Sequence, residues 1–264
     1  MPERRTIAVA GKQVRLLIGG DGPPLVYLHS AGADVEWGEA HELLAAKHTV
    51  YAPAAPGFAE STGIEDVDGI QDLVLHTVDL LDMLDLRSVP LVGTSFGGWI
   101  AAEVAALYPD RVSQLVLVDP VGLWLDAHPI GELFGTPPPD LAKLLFHDLT
   151  NPIAAMMLAF TPEMVPHLPE EIVLPQLKAM EALAKVGWNP YLHDPKLEGR
   201  LRRVTAKTLI LWGANDGIVD KAYAKHWQSK IKNSTTKILE SCGHLPPVER
   251  PQDFAAATLT FLSK

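Results

Sequence analysis

The chain has 264 residues, 47% of them hydrophobic and 20% charged, a composition that supports a large buried core and excludes a disordered or fibrous polypeptide. Its 22 Lys and Arg against 32 Asp and Glu leave a formal charge of −10, which excludes a nucleic-acid binder working by phosphate neutralisation. The single cysteine, Cys242, excludes an internal disulfide and a thiolate metal site. The opening MPERRTIAVAGKQV lacks an apolar stretch of signal-peptide length, and no run of about 18 apolar residues occurs. A cytoplasmic protein outside the membrane is the expectation.

Taken in order, TIAV and QVRLLI form a predicted strand pair around Gly11-Lys12, followed by short apolar strands at Leu25 to His29 and His48 to Pro53. From Gln71 to Leu86 the period becomes helical. Leu73, Val74, Val78, Leu80, Leu81 and Leu84 crowd one side, and Asp72, His76, Asp79 and Asp82 favour the other. VPLVGTS is a strand ending at Ser95, FGGWIAAEVAALYPD a helix, and Val112 to Pro120 the next strand. Lys207 to Gly213, a helix from Asp220 to about Ile231, the strand Thr235 to Ser241 and a last helix complete the alternation. Apolar strands alternating with helices predict a mostly parallel sheet covered on both faces.

Between Gly122 and about Arg203 strand patterns vanish, prolines recur, and short helical pieces such as DLAKLLFHD, PIAAMMLAF and LPQLKAMEALAKVG take their place. Some eighty residues are too many for a structureless loop, so a helical insertion is expected. The predicted organisation is a core from 1–121 and 204–264 interrupted by a helical cap at 122–203.

The sharpest motif is Gly93-Thr94-Ser95-Phe96-Gly97-Gly98, a G-x-S-x-G sequence between a strand and a helix. A tight strand-to-helix turn needs small residues on both sides and leaves the serine hydroxyl exposed at the sheet edge, with a helix N-terminus favouring negative charge beside it. Serine needs a base, and His244 follows the last strand in Ser241-Cys242-Gly243-His244-Leu245-Pro246-Pro247. An imidazole needs an orienting carboxylate, and Asp216 follows the strand at Thr208 to Trp212. Asp119, at the end of another strand, is a competing acid, otherwise a loop-capping or hinge residue.

With GTSFGG, WGANDGIV and CGHLPPVERP in place, the chain resembles the α/β-hydrolase superfamily over essentially its whole length. The resemblance implies an eight-stranded, mostly parallel sheet with helices on both faces and an inserted cap. Ser95 is then the nucleophile, His244 the base and Asp216 the acid. LHSAG at Leu28 to Gly32 is similar to the oxyanion segment that usually reads H-G-x-G, which implies oxyanion donors at the backbone N–H groups of Ala31 and Phe96. Ser30 departs from the usual glycine and is a candidate substrate contact, with a hydrogen-bonded loop serine as the plainer reading.

Other residues have structural readings. His29 is expected beneath the oxyanion loop, His41-Glu42 lacks the second histidine of a zinc motif because Ala45 stands there, and Cys242 reads as an inert buried thiol. Asp66, Asp68, Asp72, Asp79, Asp82 and Asp85 read as a solvated face. Of the large apolar residues in the insertion, Trp124 and Met157 are the named candidates for a substrate pocket.

The expected activity is acyl transfer to water without cofactor or metal, on a small-molecule ester or lactone, by a monomer or a homo-oligomer. Ser95 argues against the alkyl-enzyme chemistry of dehalogenases, which carry aspartate there. The C–C hydrolases of ring-fission products often have tryptophan directly after the histidine, where this chain has Leu245, so a carboxylesterase is the first choice. An enol-lactonase or C–C hydrolase is the alternative, and a ligand-binding hydrolase-fold receptor the alternative of another class.

Overall fold

A computed structural model describes residues 1–264, with the side chains of Pro162, Val165, Pro166 and Ile172 outside the description. Eight strands, β1 (Glu3–Val9), β2 (Lys12–Gly19), β3 (Pro24–Leu28), β4 (Thr49–Pro53), β5 (Val89–Thr94), β6 (Val112–Val118), β7 (Lys207–Gly213) and β8 (Ser234–Leu239), form one sheet. Its order is β1-β2-β4-β3-β5-β6-β7-β8. Strand β2 runs antiparallel to both neighbours, and every pairing from β4 to β8 is parallel.

The inner strands β3, β5, β6 and β7 bury both faces, as parallel strands under helices do, while the edge strands β1 and β8 are largely open to solvent. In β3, Val26 and Leu28 join one core layer and Leu25 and Tyr27 the other; in β6, Leu115 and Leu117 alternate in the same way with Val116 and Val118. The first layer packs under α2 (Ile70–Met83), α3 (Phe96–Leu107) and α8 (Ala222–Lys230), and the second under α1 (Glu39–Ala45) and α10 (Pro251–Leu262). The α1 helix had no counterpart in the predicted elements. Burial also corrects the predicted polar face of α2, because His76 is buried there and Leu75 is half exposed.

Between β6 and β7 lie α4 (Pro138–Leu145), α5 (Pro152–Ala159), α6 (Glu170–Gly187) and α7 (Leu197–Arg200), with no sheet strand among the described residues. The C-terminal part of α6 is anchored by buried Ala182, Leu183 and Val186, whereas Leu174, Leu177 and Met180 on its earlier turns are exposed. A last short helix, α9 (Pro246–Glu249), precedes α10. Among the described residues no helix is long and apolar enough to cross a membrane.

Register positions the site. Leu28 pairs with Gly93, Thr94 with Val118, Val118 with Leu211, and Gly213 with Leu239, so the carboxyl ends of β3, β5, β6, β7 and β8 reach one edge of the sheet. The segments carrying Ser30, Ser95, Asp119, Asp216 and His244 all leave from that edge. Such an edge is where ligands of open parallel sheets bind.

Candidate active site

Ser95 sits between β5 and α3 with φ 51° and ψ −109°, a left-handed backbone that a non-glycine residue holds only when its surroundings enforce it. The surroundings here are backbone hydrogen bonds and close packing. The Ser95 N–H donates to Val118 O at 2.8 Å, and Val121 N–H donates to Ser95 O at 3.3 Å. A Cβ on Gly93 would lie 2.3 Å from Gly97 O, and one on Gly97 would lie 2.1 Å from Leu28 O. The turn therefore closes only with glycine at both places.

The three predicted side chains meet. His244 Nε2 is 2.8 Å from Ser95 Oγ, and His244 Nδ1 is 2.7 Å from Asp216 Oδ2. Asp216 Oδ1 accepts the N–H groups of Ile218 and Val219 at 2.8 and 2.9 Å, which fixes the carboxylate and leaves Oδ2 for the imidazole. Among the hydrogen bonds of the described residues Asp216 only accepts, so His244 Nδ1 is the donor and Nε2 is left to accept from the serine hydroxyl. Ser95 and His244 are 5% and 2% exposed, so the contact is sheltered from water, where charge and hydrogen bonding are strongest.

The loop after β3 is held to the same point. Tyr27 donates its hydroxyl proton to Asp34 Oδ2, its oxygen lies 2.9 Å from Thr94 Oγ1, and Asp34 Oδ1 accepts from Ser30 N–H at 2.7 Å. Burial first, and the charge of Asp34 second, push the Tyr27 phenol well above its ordinary range, so it stays a donor. The residue before Ser95 and the residue before Ala31 are thus braced through one buried network. Phe96 N–H opens the first turn of α3, where a backbone donor has no partner within the helix.

His29 has the structural place expected of it. Its Nε2 accepts Ala55 N–H at 2.9 Å and its Nδ1 faces Ser30 O. The plainer reading of Ser30 is corrected: it is buried, and its Oγ has no hydrogen-bond partner among the described residues. Trp124 stacks on His193 with ring centroids 5.5 Å apart and donates to Asp126 Oδ1. Met157 packs with Phe146, Ala154 and Leu245, the last being the residue after His244. Cys242 is fully buried, and burial pushes its thiol upward, away from nucleophilic character. Asp119 is also fully buried, and its Oδ1 accepts Gly213 N–H at 2.9 Å, which ties the end of β6 to the end of β7.

Two features escaped the sequence reading. The last carbonyls of α4 are capped by the acid and histidine loops, since Gly217 N–H donates to Leu144 O at 3.0 Å and His244 N–H to Leu145 O at 2.8 Å. Glu249 then bridges the two sides, accepting Asp148 N–H and Gly243 N–H at 2.5 and 2.6 Å. A glutamate three residues after Leu245-Pro246 was visible, but a partner 101 residues away in sequence leaves no local pattern.

Comparison with known proteins agrees with this architecture. The chain is 27% identical over 288 residues to 2-hydroxy-6-oxo-6-(2'-aminophenyl)hexa-2,4-dienoic acid hydrolase of Metapseudomonas resinovorans, covering 98% of this chain and 91% of that one. It is 29% identical over 276 residues to 2-hydroxymuconate semialdehyde hydrolase of Pseudomonas sp. (strain CF600), covering 98% and 94%. In structure it is similar to 2-hydroxy-6-oxo-6-phenylhexa-2,4-dienoate hydrolase from Rhodococcus sp. strain RHA1, with TM-score 0.82 at 22% identity, over 100% of this chain and 99% of that one, a likeness of fold. The profile of the alpha/beta hydrolase family matches residues 25–257, the stretch that carries the parallel part of the sheet, and the chain belongs to that family.

Proposed function

We propose that the chain is a serine hydrolase that cleaves a carbon–carbon bond beside a ketone in a conjugated, ring-cleavage-type keto acid. The observation that carries the reading is the continuous contact from Ser95 through His244 to Asp216, in a chain whose full-length relatives are named as hydrolases of 2-hydroxy-6-oxo-dienoic acids and a related semialdehyde. The first choice from sequence, a carboxylesterase, gives way to its alternative on those relatives.

In this reading Ser95 Oγ attacks the ketone carbon as its proton passes to His244 Nε2, and Asp216 stabilises the imidazolium. Phe96 and Ala31 N–H groups receive the developing oxyanion, each donor contributing about 3 kcal/mol to the transition state. The leaving group is a carbon rather than an alkoxide. The dienol first passes to its keto tautomer, the 2-hydroxyl proton being lost and one gained at the carbon beside the 6-ketone, so the electron pair left on that carbon after cleavage is delocalised through the remaining double bond to the 2-ketone, and the imidazolium supplies the proton that completes its departure. Water, deprotonated by His244, then releases the acid from Ser95. The segment 122–203 serves as a helical cap, since Ala179 and Ala182 of α6 lie against Gly32 and Gly57. Ser30 Oγ, Trp124 and Met157 are the side chains assigned to substrate contact.

Ester hydrolysis is the second reading, favoured by one residue: Leu245 stands directly after His244 where C–C hydrolases often carry tryptophan. The test is a ratio of kcat/KM for 2-hydroxy-6-oxo-6-phenylhexa-2,4-dienoate and p-nitrophenyl butyrate, followed by loss of the dienol absorbance and release of nitrophenolate. Dienoate turnover that Ser95→Ala abolishes is the expected result. Ester turnover with none on the dienoate moves the function to the second reading, and near wild-type rates in Ser95→Ala sink both.

A further inference from the structure

The serine–histidine–aspartate reading leaves one buried ionisable group beside the site without a task. Asp119 is fully buried in the left-handed region at φ 43°, immediately after the residue whose carbonyl holds Ser95 N–H. Its backbone N–H donates to Leu211 O at 3.0 Å and its Oδ1 accepts Gly213 N–H, so the carboxyl is fixed from two sides. Its Oδ2 is buried and, among the described residues, has no donor to accept from. One carboxylate oxygen of Asp119, one of Asp216 and one ring nitrogen of His244 lie within 4.8 Å of one another.

Two carboxyls this close and this buried do not both hold a charge, because like charges in low dielectric repel strongly. Asp216 has the donors that stabilise an anion, from Ile218, Val219 and His244. Asp119 has one; Asp216 first, and Glu249 from the end of α9, act on it as like charges, and the one basic group beside it, His244, directs its Nδ1 to Asp216. Cys242, beside it, is held as a neutral thiol.

We propose that Asp119 and Asp216 form a two-carboxyl acid element carrying one negative charge and one proton, with Asp119 a positioning residue that donates to Asp216 and becomes the anionic partner of His244 when Asp216 is removed. Burial and the Asp216 charge, in that order, hold the Asp119 carboxyl well above the ordinary carboxylate range, in keeping with this assignment. Asp119 O–H donates a hydrogen bond without proton transfer in the native site, and loses its proton to solvent only when the Asp216 carboxylate is gone. The catalytic part of the proposal rests on the Ser95, His244 and Asp216 reading; the charge distribution does not.

Infrared difference spectroscopy, wild type minus Asp119→Asn at pH 7, tests the charge distribution without any substrate. A carbonyl band of a buried neutral carboxylic acid, absent from the variant, is expected; a difference showing only an ionised carboxylate overturns the proposal. Kinetics on p-nitrophenyl acetate test the catalytic part. Asp119→Ala should lower kcat about tenfold with KM little changed, and Asp119→Asn should recover most of that loss, because an amide N–H replaces the carboxyl donor.

Asp216→Ala should lose about a hundredfold, and adding Asp119→Asn to it should extend the loss to about 10⁴-fold. A double variant no slower than Asp216→Ala overturns the reserve role, as does an Asn variant no better than the Ala one for the positioning role. If Asp216→Ala fails to fold, the infrared spectrum and the Ala-to-Asn rescue at position 119 still decide. Should Ser95→Ala keep its activity, the enzyme reading falls while the infrared result stands.

Discussion

Buried histidines set how this protein meets acid. His41 and His76 are held down to about 4, chiefly because burial disfavours the imidazolium, and burial lowers His29 as well. All three lie below their value in an unfolded chain, so the stability they contribute is complete above about pH 6.5 and falls with pH below it, for His41 and His76 until about 4, because the unfolded state takes up protons the folded state refuses. Each group adds up to about 1.4 kcal/mol per pH unit to the slope across that window. Urea unfolding at a series of pH values should show this loss, and His76→Gln should flatten the curve by close to one proton. An unchanged slope in that variant would mean that His76 does not titrate differently between the two states.

At the scale of elements, the end of α4 and the two loops it touches behave as one unit. A helix C-terminus leaves carbonyls without intrahelical donors, and here Gly217 and His244 supply the donors from the very loops that carry Asp216 and the imidazole. Glu249 completes the unit with its bridge from Gly243 to Asp148. Glu249→Ala removes both acceptors at once; water replaces the one at exposed Asp148, and the Gly243 N–H left unsatisfied should cost about 1–3 kcal/mol, with a fall in kcat because Gly243 is the neighbour of His244. Glu249→Gln retains one carbonyl oxygen and should fall between the two. Thermal melts alongside kcat check this; an Ala variant matching wild type in both would show that the bridge neither steadies the loop nor places the base.

At the scale of the whole molecule, legibility in the sequence followed the range of the interaction. The elbow was readable because Gly93, Ser95 and Gly97 act within five residues, and the strands because burial on both faces leaves continuous apolar runs. The contact of Ser95 with His244 spans 149 positions and was reached through the order of segments on a parallel sheet together with the family resemblance of GTSFGG, WGANDGIV and CGHLPPVERP. Asp34 under the loop after β3, the cap on α4 and the Glu249 bridge had no such pattern to announce them. The same holds for the pair that joins the segment between β6 and β7 to α3. Glu103 on α3 is fully buried, and Arg200 at the end of α7 reaches both it, at 2.6 Å, and Asp194. Burial raises the Glu103 carboxyl, and the guanidinium opposes that shift, so the charge is kept in place by its partner. Removing one member of a buried pair strands the other, whereas replacing both with apolar groups of similar volume is often neutral. Arg200→Met alone should therefore cost about 3–5 kcal/mol in urea unfolding, and Glu103→Leu combined with Arg200→Met should recover most of it. If the double variant is no more stable than Arg200→Met, then Arg200 holds the insertion to the core through Asp194 and its own packing, and the buried carboxylate is not the reason for its place.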